Sequence, residues 1–320
     1  MQEKIFEVQN LTKTYPVNTG FLKKPTLLTA VNHITFDIYQ GETLGIVGES
    51  GCGKSTLGRL LLKLTESSEG KIVFRGTDIT HMNDKAFKPY RKEMQFIFQD
   101  PYASLNPRYR IVNAIAEPME VFHCVSSTAE KEQRVAELLT AVGLAPEAMY
   151  KYPHEFSGGQ RQRICIARAL GLHPSFIVAD EPVSALDVSV QAQVINLMLD
   201  MKEQFGFTYL FISHDIGVVR YVCQRIVVMY LGTIVEIADK DELFVNPLHP
   251  YTRALLAAVP EIGKKREKQI ISGEVPSPVH VPSGCVFHPR CPNACARCSK
   301  EKPPVVTQSE DHQVACWLYA

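Results

Sequence analysis

Apolar and polar residues alternate in short runs near the start of the chain: Ile5-Phe6-Glu7-Val8, then residues 31–38, then 71–74. Turn signals at Gly41-Glu42 and Glu69-Gly70 separate these runs, a pattern that predicts strands. Residues 107–150 read mainly as helices, and 129–142 repeats with a period near 3.6. A helix is expected over 160–170. The short apolar run from Phe176 to Ala179 has the composition of a buried parallel strand. Helix 191–204, strand 208–212, helix 216–223 and strand 226–230 follow. Strands and helices in alternation predict an α/β core with a largely parallel sheet. Around 260–282 the composition shifts to Lys, Gly, Ser and Pro, which predicts a linker. No internal repeat or low-complexity tract is visible.

Between the strand signal at Leu44, Ile46 and Val47 and the helical run from Leu57 to Leu64 lies GESGCGKST, Gly48 to Thr56. It reads G-x-x-x-x-G-K-S, a phosphate-binding loop in its required strand–loop–helix context. Glycines let the backbone curl so that successive N–H groups face phosphate oxygens, and the helix start adds partial positive charge. Lys54 is expected to reach the β- and γ-phosphates, and the Ser55 hydroxyl to ligate Mg²⁺. The nucleotide candidates here are Gly48, Ser50, Gly51, Cys52, Gly53, Lys54, Ser55 and Thr56.

Composition narrows the class. The 320 residues suffice for one large domain with a small appendage, or for two domains. A 45% hydrophobic content is that of a globular chain, and 34 Lys+Arg balance 34 Asp+Glu. Nothing in that balance points to nucleic acid or another polyanion. The opening MQEKIFEVQN has no signal-peptide core, and no apolar run approaches the ~18 residues of a bilayer span. Any membrane role is therefore expected to act through a partner. A phosphate loop implies an ATP-containing, reducing compartment, where Cys52, Cys124, Cys165 and Cys223 are ordinary thiols.

Two further strings carry chemistry. Phe176-Ile177-Val178-Ala179-Asp180-Glu181 is an apolar strand ending in two carboxylates. Nucleotide hydrolysis needs such a pair: Asp180 to organise Mg²⁺ through its shell, Glu181 to polarise the attacking water. Phe156-Ser157-Gly158-Gly159-Gln160 precedes a helix. Ser157 fits an N-cap, and the two glycines allow an anion to approach the helix start closely. In a chain that already has one phosphate site, a second such start points to the nucleotide of another subunit.

With these strings the chain resembles an ATP-binding cassette (ABC) ATPase, the nucleotide-binding subunit of ABC transporters. FSGGQ matches the family's signature motif, with Phe156 where Leu is commoner, and Gln99 in IFQDP matches its Q-loop glutamine. Ser184-Ala185-Leu186-Asp187 matches the D-loop, His214 in FISHD the switch histidine, and Tyr15 in LTKTYPV the ring that stacks on adenine. The resemblance implies an ABC-type P-loop NTPase: a RecA-like core, an antiparallel β subdomain and an α-helical subdomain. It implies a head-to-tail dimer in which each ATP lies between one phosphate loop and the partner's signature, here Ser157, Gly158, Gly159 and Gln160. His214 is implied at the γ-phosphate. Gln99 is implied to serve Mg²⁺, sense the γ-phosphate and couple to the transmembrane partner. The catalytic candidates are Glu181, His214 and Gln99; Tyr15, Asp180 and the signature residues join the ATP-binding set.

Asn246-Pro247-Leu248-His249-Pro250-Tyr251-Thr252 resembles the C-terminal extension of oligopeptide, dipeptide and nickel importer ATPases. The family's cysteine pattern follows at Cys285, Cys291, Cys298 and Cys316, with five, six and seventeen residues between successive members. Four thiols in a small loop-rich segment suggest a metal clamp, and a four-Cys set by itself does not choose between zinc and an iron–sulfur cluster. The resemblance implies [4Fe–4S]. Cys295 stands outside the four, as a spare thiol or an alternative ligand, and His288 is a weaker competitor. The residues from Ser55 to Leu64 and an insertion over 17–28 look more like the F-type than the D-type ATPase of such importers.

The expected organisation is an ABC ATPase domain over 1–259, then a linker and Cys-rich metal-binding extension over 260–320. The expected role is ATP hydrolysis coupled to import of peptides. The implied partners are a second related ATPase (a heterodimer), two transmembrane permease subunits and an extracytoplasmic substrate-binding protein, with no nucleic acid. The implied place is the cytoplasmic face of the inner membrane. Two alternatives remain open: a soluble iron–sulfur ABC ATPase acting on ribosomes or DNA, and an importer of nickel or another small solute.

Overall fold

In chain order the first elements are β1 (Lys4–Val17), β2 (Thr26–Tyr39), β3 (Thr43–Val47), α1 (Lys54–Leu61), β4 (Glu69–Phe74) and β5 (Thr77–Asp78). Next come α2 (Asp84–Phe87), α3 (Tyr90–Glu93), β6 (Met94–Ile97), α4 (Ile111–Val121), α5 (Thr128–Ala141), α6 (Gly158–Leu170), β7 (Phe176–Asp180), α7 (Val188–Phe205) and β8 (Thr208–Ile212). The chain continues through α8 (Ile216–Val222), β9 (Arg225–Tyr230), β10 (Thr233–Asp239), α9 (Lys240–Val245), α10 (Pro250–Ala257), β11 (Val305–Ser309) and β12 (His312–Ala315). This computed structural model describes residues 3–17, 26–258, 273–309 and 311–320. Most of the 17–28 insertion, the start of the expected linker and the expected 259/260 boundary lie outside the described residues. The chain forms two units, Met1–His81 with Ser213–Ala320, and Met82–Ile212.

In the first unit, β2, β1, β4 and β5 form an antiparallel sheet in that order. Ile5, Phe6, Val8 and Leu11 of β1 are buried, and Phe6 meets Phe74 of β4 with ring centroids 5.0 Å apart. The same unit holds strands in the order β11-β12-β10-β9-β3. Strands β3 and β9 run parallel there; β9–β10, β10–β12 and β11–β12 are antiparallel. The second unit has β8, β7 and β6 side by side, all parallel. Strands β3, β7 and β8 are buried at every residue, as parallel strands covered on both faces must be. The expected alternation therefore holds through the middle of the chain, while the antiparallel strands after residue 230 depart from it.

The C-terminal segment is built into the first unit. Glu236 of β10 pairs with Val314 of β12 in the ladder, and its buried carboxylate takes His312 Nε2 at 2.7 Å. It also accepts the backbone N–H groups of Leu248 (2.7 Å) and His249 (2.9 Å). One carboxylate thus fastens the last strand and the start of α10 to β10. Burial works against a charge on His312, but the bond to Glu236 and its charge outweigh it, so His312 titrates above the usual histidine range. His249 goes the other way: burial pushes it down to about 4, and its Nδ1 accepts the Tyr251 N–H as an N-cap. Leu248, Val314 and Cys316 pack together with Tyr319, whose hydroxyl donates to Leu248 O at 3.1 Å. Among the described residues no helix is long and apolar enough to cross a membrane.

Candidate nucleotide-binding and catalytic site

The phosphate loop lies in the first unit. It leaves the buried end of β3 and feeds α1, as the sequence context requires. Gly48 and Gly53 hold φ of +156° and +102°. A Cβ at Gly48 would meet the Met229 carbonyl oxygen and the Cys52 sulfur; at Gly53 it would meet the Ala30 carbonyl oxygen. Only glycine fits either place. Lys54 is buried, and its ammonium donates to Gly48 O (2.8 Å) and Glu49 O (3.1 Å). Those bonds turn two carbonyls toward the lysine and leave the curl of the loop to be lined by N–H groups. Ser50 and Gly51 are exposed at the tip, and Ser55 and Thr56 are half-buried on the first turn of α1. Cys52 differs from its neighbours: its thiol is buried, 3.9 Å from Lys54 Nζ, with its pKa raised by desolvation.

Ser213 N donates to Ile46 O at 3.2 Å, which brings the turn carrying His214 beside the strand that ends in the loop. His214 is exposed, and Asp215 after it caps α8 by accepting the N–H groups of Gly217 and Val218. Tyr15 sits half-buried near the end of β1, with Lys13 Nζ 4.9 Å from its ring centroid.

The carboxylates lie in the second unit. Asp180 is the buried last residue of β7, and Glu181 follows it half-buried at φ +47°. Left-handed backbone at a glutamate costs on the order of 1–3 kcal/mol and persists only where the surroundings impose it. Here Glu181 N donates to Ile212 O at 2.9 Å, and the Ser184 hydroxyl donates to Glu181 O at 3.0 Å. The Glu181 carboxylate accepts Gln99 Nε2 at 2.9 Å, with Ser184 Oγ 3.5 Å from the same nitrogen. Residues separated by 82 positions thus share one hydrogen-bonded group, with Gln99 on the segment after β6. Sequence matching had named Gln99, Glu181 and Ser184 one by one; their direct bonding is a tertiary result.

The signature string caps α6. Ser157 accepts the Gln160 N–H (3.3 Å) and the Gln160 side chain accepts the Ser157 N–H (3.0 Å), a reciprocal capping box. Gln160, a nucleotide candidate by sequence, spends its side chain on this cap. Ser157, Gly158 and Gln160 are exposed, whereas Gly159 is buried and a Cβ there would run into Val190.

The tail brings its cysteines together in the first unit. Cys285, Cys291, Cys295, Cys298 and Cys316 line one cavity of about 60 Å³, with His249, His288 and Trp317. Burial and neighbouring thiols push Cys285 up to about 11 and raise Cys291 and Cys316. Exposed Cys295 lies with its sulfur 3.5 Å from Cys298, whose backbone and side chain hold its pKa down. The donor set suits a thiophilic metal. Among the described residues, however, no three His, Cys, Asp or Glu side chains are arranged to hold a metal ion. Cys295, left out of the four, lines the same cavity.

A family model of the ABC transporter matches residues 31–184, spanning the phosphate loop, the signature and both carboxylates. The oligopeptide transport ATP-binding protein AppF of Bacillus subtilis is 52% identical over 100% of this chain and 98% of its own length. The chain belongs to the ABC transporter ATP-binding family. Within it, a model of the oligopeptide/dipeptide transporter C-terminal region matches residues 235–298, which takes in the first four of the five clustered cysteines and stops before Cys316. The oligopeptide transport ATP-binding protein OppF of Escherichia coli is 46% identical over 98% of this chain and 95% of its own. Among solved structures, a dimeric ATP-binding cassette in a post-hydrolysis state bound to ADP and Pi is similar, with a TM-score of 0.66 and 28% identity. It covers 73% of this chain and 98% of that one. The fold is thus the ABC ATPase cassette, with mixed sheet and helices.

Proposed function

We propose that this ABC protein is the ATP-hydrolysing, energy-coupling subunit of a bacterial importer of the dipeptide/oligopeptide class. The observation that carries the reading is the Glu181–Gln99–Ser184 group at a strand end, in a chain with a complete phosphate loop. Its peptide assignment rests on the C-terminal region and on relatives named for oligopeptide transport.

In this reading Lys54 and the loop N–H groups hold the β- and γ-phosphates, and Tyr15 stacks on adenine. Ser55, Gln99 and, through its shell, Asp180 hold Mg²⁺, which would neutralise charge on the phosphates. Glu181 polarises the attacking water and takes its proton. His214 contacts the γ-phosphate, and Gln99 reports on it to the permease. Ser157, Gly158, Gly159 and Gln160 serve the nucleotide of a partner ATPase. That partner is a related subunit in a heterodimer, docked with two permease subunits and an extracytoplasmic binding protein at the cytoplasmic face of the inner membrane. The ATPase domain takes residues 1–259 and the extension 260–320.

The test is reconstitution in vesicles with the second ATPase, the permease pair and the binding protein. Peptide-loaded binding protein is expected to stimulate ATP hydrolysis, and only when the permease is present. Stimulation that needs no permease, or co-purification with ribosomes or DNA instead, would defeat the reading.

We also propose that Cys285, Cys291, Cys298 and Cys316 hold a [4Fe–4S] cluster, with zinc as the competitor. Support comes from thiols gathered around one cavity and from the chemistry of that donor set. Binding would draw protons off thiols that burial now keeps protonated and would add stability to a segment with little core of its own. Anaerobically purified protein is expected to be brown, with about four irons per chain, as a four-iron cluster requires. Cys298→Ser should empty the site, and Cys295→Ser should leave the iron content unchanged. Zinc without iron or sulfide refutes the cluster, and loss of metal in Cys295→Ser refutes the choice of ligands.

A further inference from the structure

The residue after the first glycine of the phosphate loop is a glutamate, an unexpected charge in a loop that receives an anion. Each polar part of Glu49 is held from a different direction. Its carbonyl accepts Lys54 Nζ at 3.1 Å, within the loop. Its N–H donates to the hydroxyl of Tyr251 at 2.9 Å. Its carboxylate takes a two-pronged bond from Arg290, with Nη1–Oε2 at 2.9 Å and Nη2–Oε1 at 3.2 Å. Tyr251 and Arg290 lie 202 and 241 positions away, both within residues 235–298, the stretch matched by the oligopeptide/dipeptide transporter C-terminal region.

These contacts are built rather than incidental. The Arg290 side chain is 7% exposed and Glu49's 26%, so the pair is largely withdrawn from water, where a fork-to-carboxylate bond is strong and its disruption costly. Arg290 Nη1 also bonds the Tyr230 hydroxyl at 3.2 Å. Behind it Tyr230, Tyr251 and Phe287 pack as an aromatic cluster with centroids 4.8 to 5.4 Å apart, all nearly fully buried. Arg290 ends a single helical turn, His288–Arg290, that leads directly into Cys291. The cysteine-lined segment therefore presents the guanidinium to the phosphate loop.

We propose that Arg290 and Tyr251 are positioning residues for ATP, acting through Glu49. Arg290 cancels the loop's own negative charge, and Tyr251 ties down the Glu49 N–H so that the curl keeps its shape. This rests on the ATP-binding reading of the loop and extends it: the extension forms part of the nucleotide site. Without Arg290, Glu49 is an unpaired carboxylate next to bound phosphate, and repulsion grows with the charge of the nucleotide.

The experiment is equilibrium binding of ATP and ADP to the purified full-length chain, with thermal unfolding measured in parallel. Arg290→Met is expected to weaken ATP by about tenfold, the size of one like-charge repulsion a few ångströms away in a partly water-exposed site, and ADP by less. The ATP loss should shrink at high salt, which screens the unpaired charge. Adding Glu49→Gln to Arg290→Met should restore ATP affinity, and Glu49→Gln alone should raise it. Tyr251→Phe keeps the ring and should weaken ATP several-fold with little change in melting temperature. A purely structural ion pair behaves otherwise: ATP and ADP suffer equally, high salt leaves the loss unchanged, and the double variant is not rescued. That outcome overturns the proposal. Should Arg290→Met fail to fold, Glu49→Gln decides alone, because a loss of ATP affinity there contradicts the charge argument. Lys54→Ala separates the levels. If it binds ATP normally, the reading of the loop itself fails; if it loses ATP while Arg290→Met binds like wild type, only this proposal falls.

Discussion

Glu181→Gln is expected to keep ATP bound and nearly stop its hydrolysis. The amide has the size of the carboxylate, and its oxygen can still accept the Gln99 N–H that now bonds Glu181 Oε2 at 2.9 Å. Nor does the substitution touch the backbone bonds that impose the left-handed turn, Glu181 N to Ile212 O and Ser184 Oγ to Glu181 O. The local structure should therefore survive, and what disappears is the ability to take a proton from water. Removing a positioned general base costs about 10²–10⁴ in rate. The measurement is single-turnover hydrolysis in the assembled complex, with the partner's site disabled so that only this site is read. Near-wild-type hydrolysis there would remove Glu181 from the catalytic role. A matching loss of ATP affinity would show instead that its carboxylate serves to hold the nucleotide.

The second large effect is expected at the signature string. Gly158→Asp should abolish productive pairing with the partner ATPase while this chain's own phosphate loop still binds ATP. The structure favours this position over its neighbour. Gly158 is exposed at the start of α6, and a Cβ there meets only the flexible end of Leu186 at 3.3 Å, whereas one at Gly159 is driven into Val190. A carboxylate about 4 Å from a phosphate charge is opposed by about 4 kcal/mol in a partly shielded interface. That corresponds to a loss of roughly a thousandfold in closure. Gly158→Asn adds the same bulk without the charge and should lose much less. Activity of the complex and ATP binding by the isolated chain are measured side by side. Full hydrolysis by a strictly monomeric wild-type preparation, or equal losses in the Asp and Asn variants, would count against the role of this helix start.

Much of the fold was legible locally, because the signals that mark it are local. The phosphate loop announces itself through glycines that no other residue can replace, at Gly48 and Gly53. The box at Ser157 and Gln160 uses two side chains three residues apart, so its N-cap could be read from one turn of sequence. Strand β8 is found at its expected bounds, and β7 and α5 within one residue of theirs, since each is an unbroken, mostly apolar run or a clear helical repeat. Strand β6 is not expected from the sequence: its four residues are broken by Gln95, so they show neither an unbroken apolar run nor enough of a period. Strands β11 and β12 escaped for a different reason. β11 is mostly exposed, and without an apolar face its pairing shows only once β12 is laid against β10.

What the sequence by itself determined is the chemistry present: a phosphate loop, two carboxylates at a strand end, an anion-ready helix start, and cysteines crowded into the tail. Those follow from spacing over a few residues, where backbone geometry dictates which groups can act together. The tertiary structure alone decided which distant groups meet. It joined Gln99 to Glu181 and brought Cys295 into the cavity of the other four cysteines. It also buried Glu236 beneath His312 and set Arg290 on Glu49. No local pattern encodes such contacts, because their energy comes from pairing charges and polar groups that folding withdraws from water, and the unfolded chain offers no trace of which partner each will find.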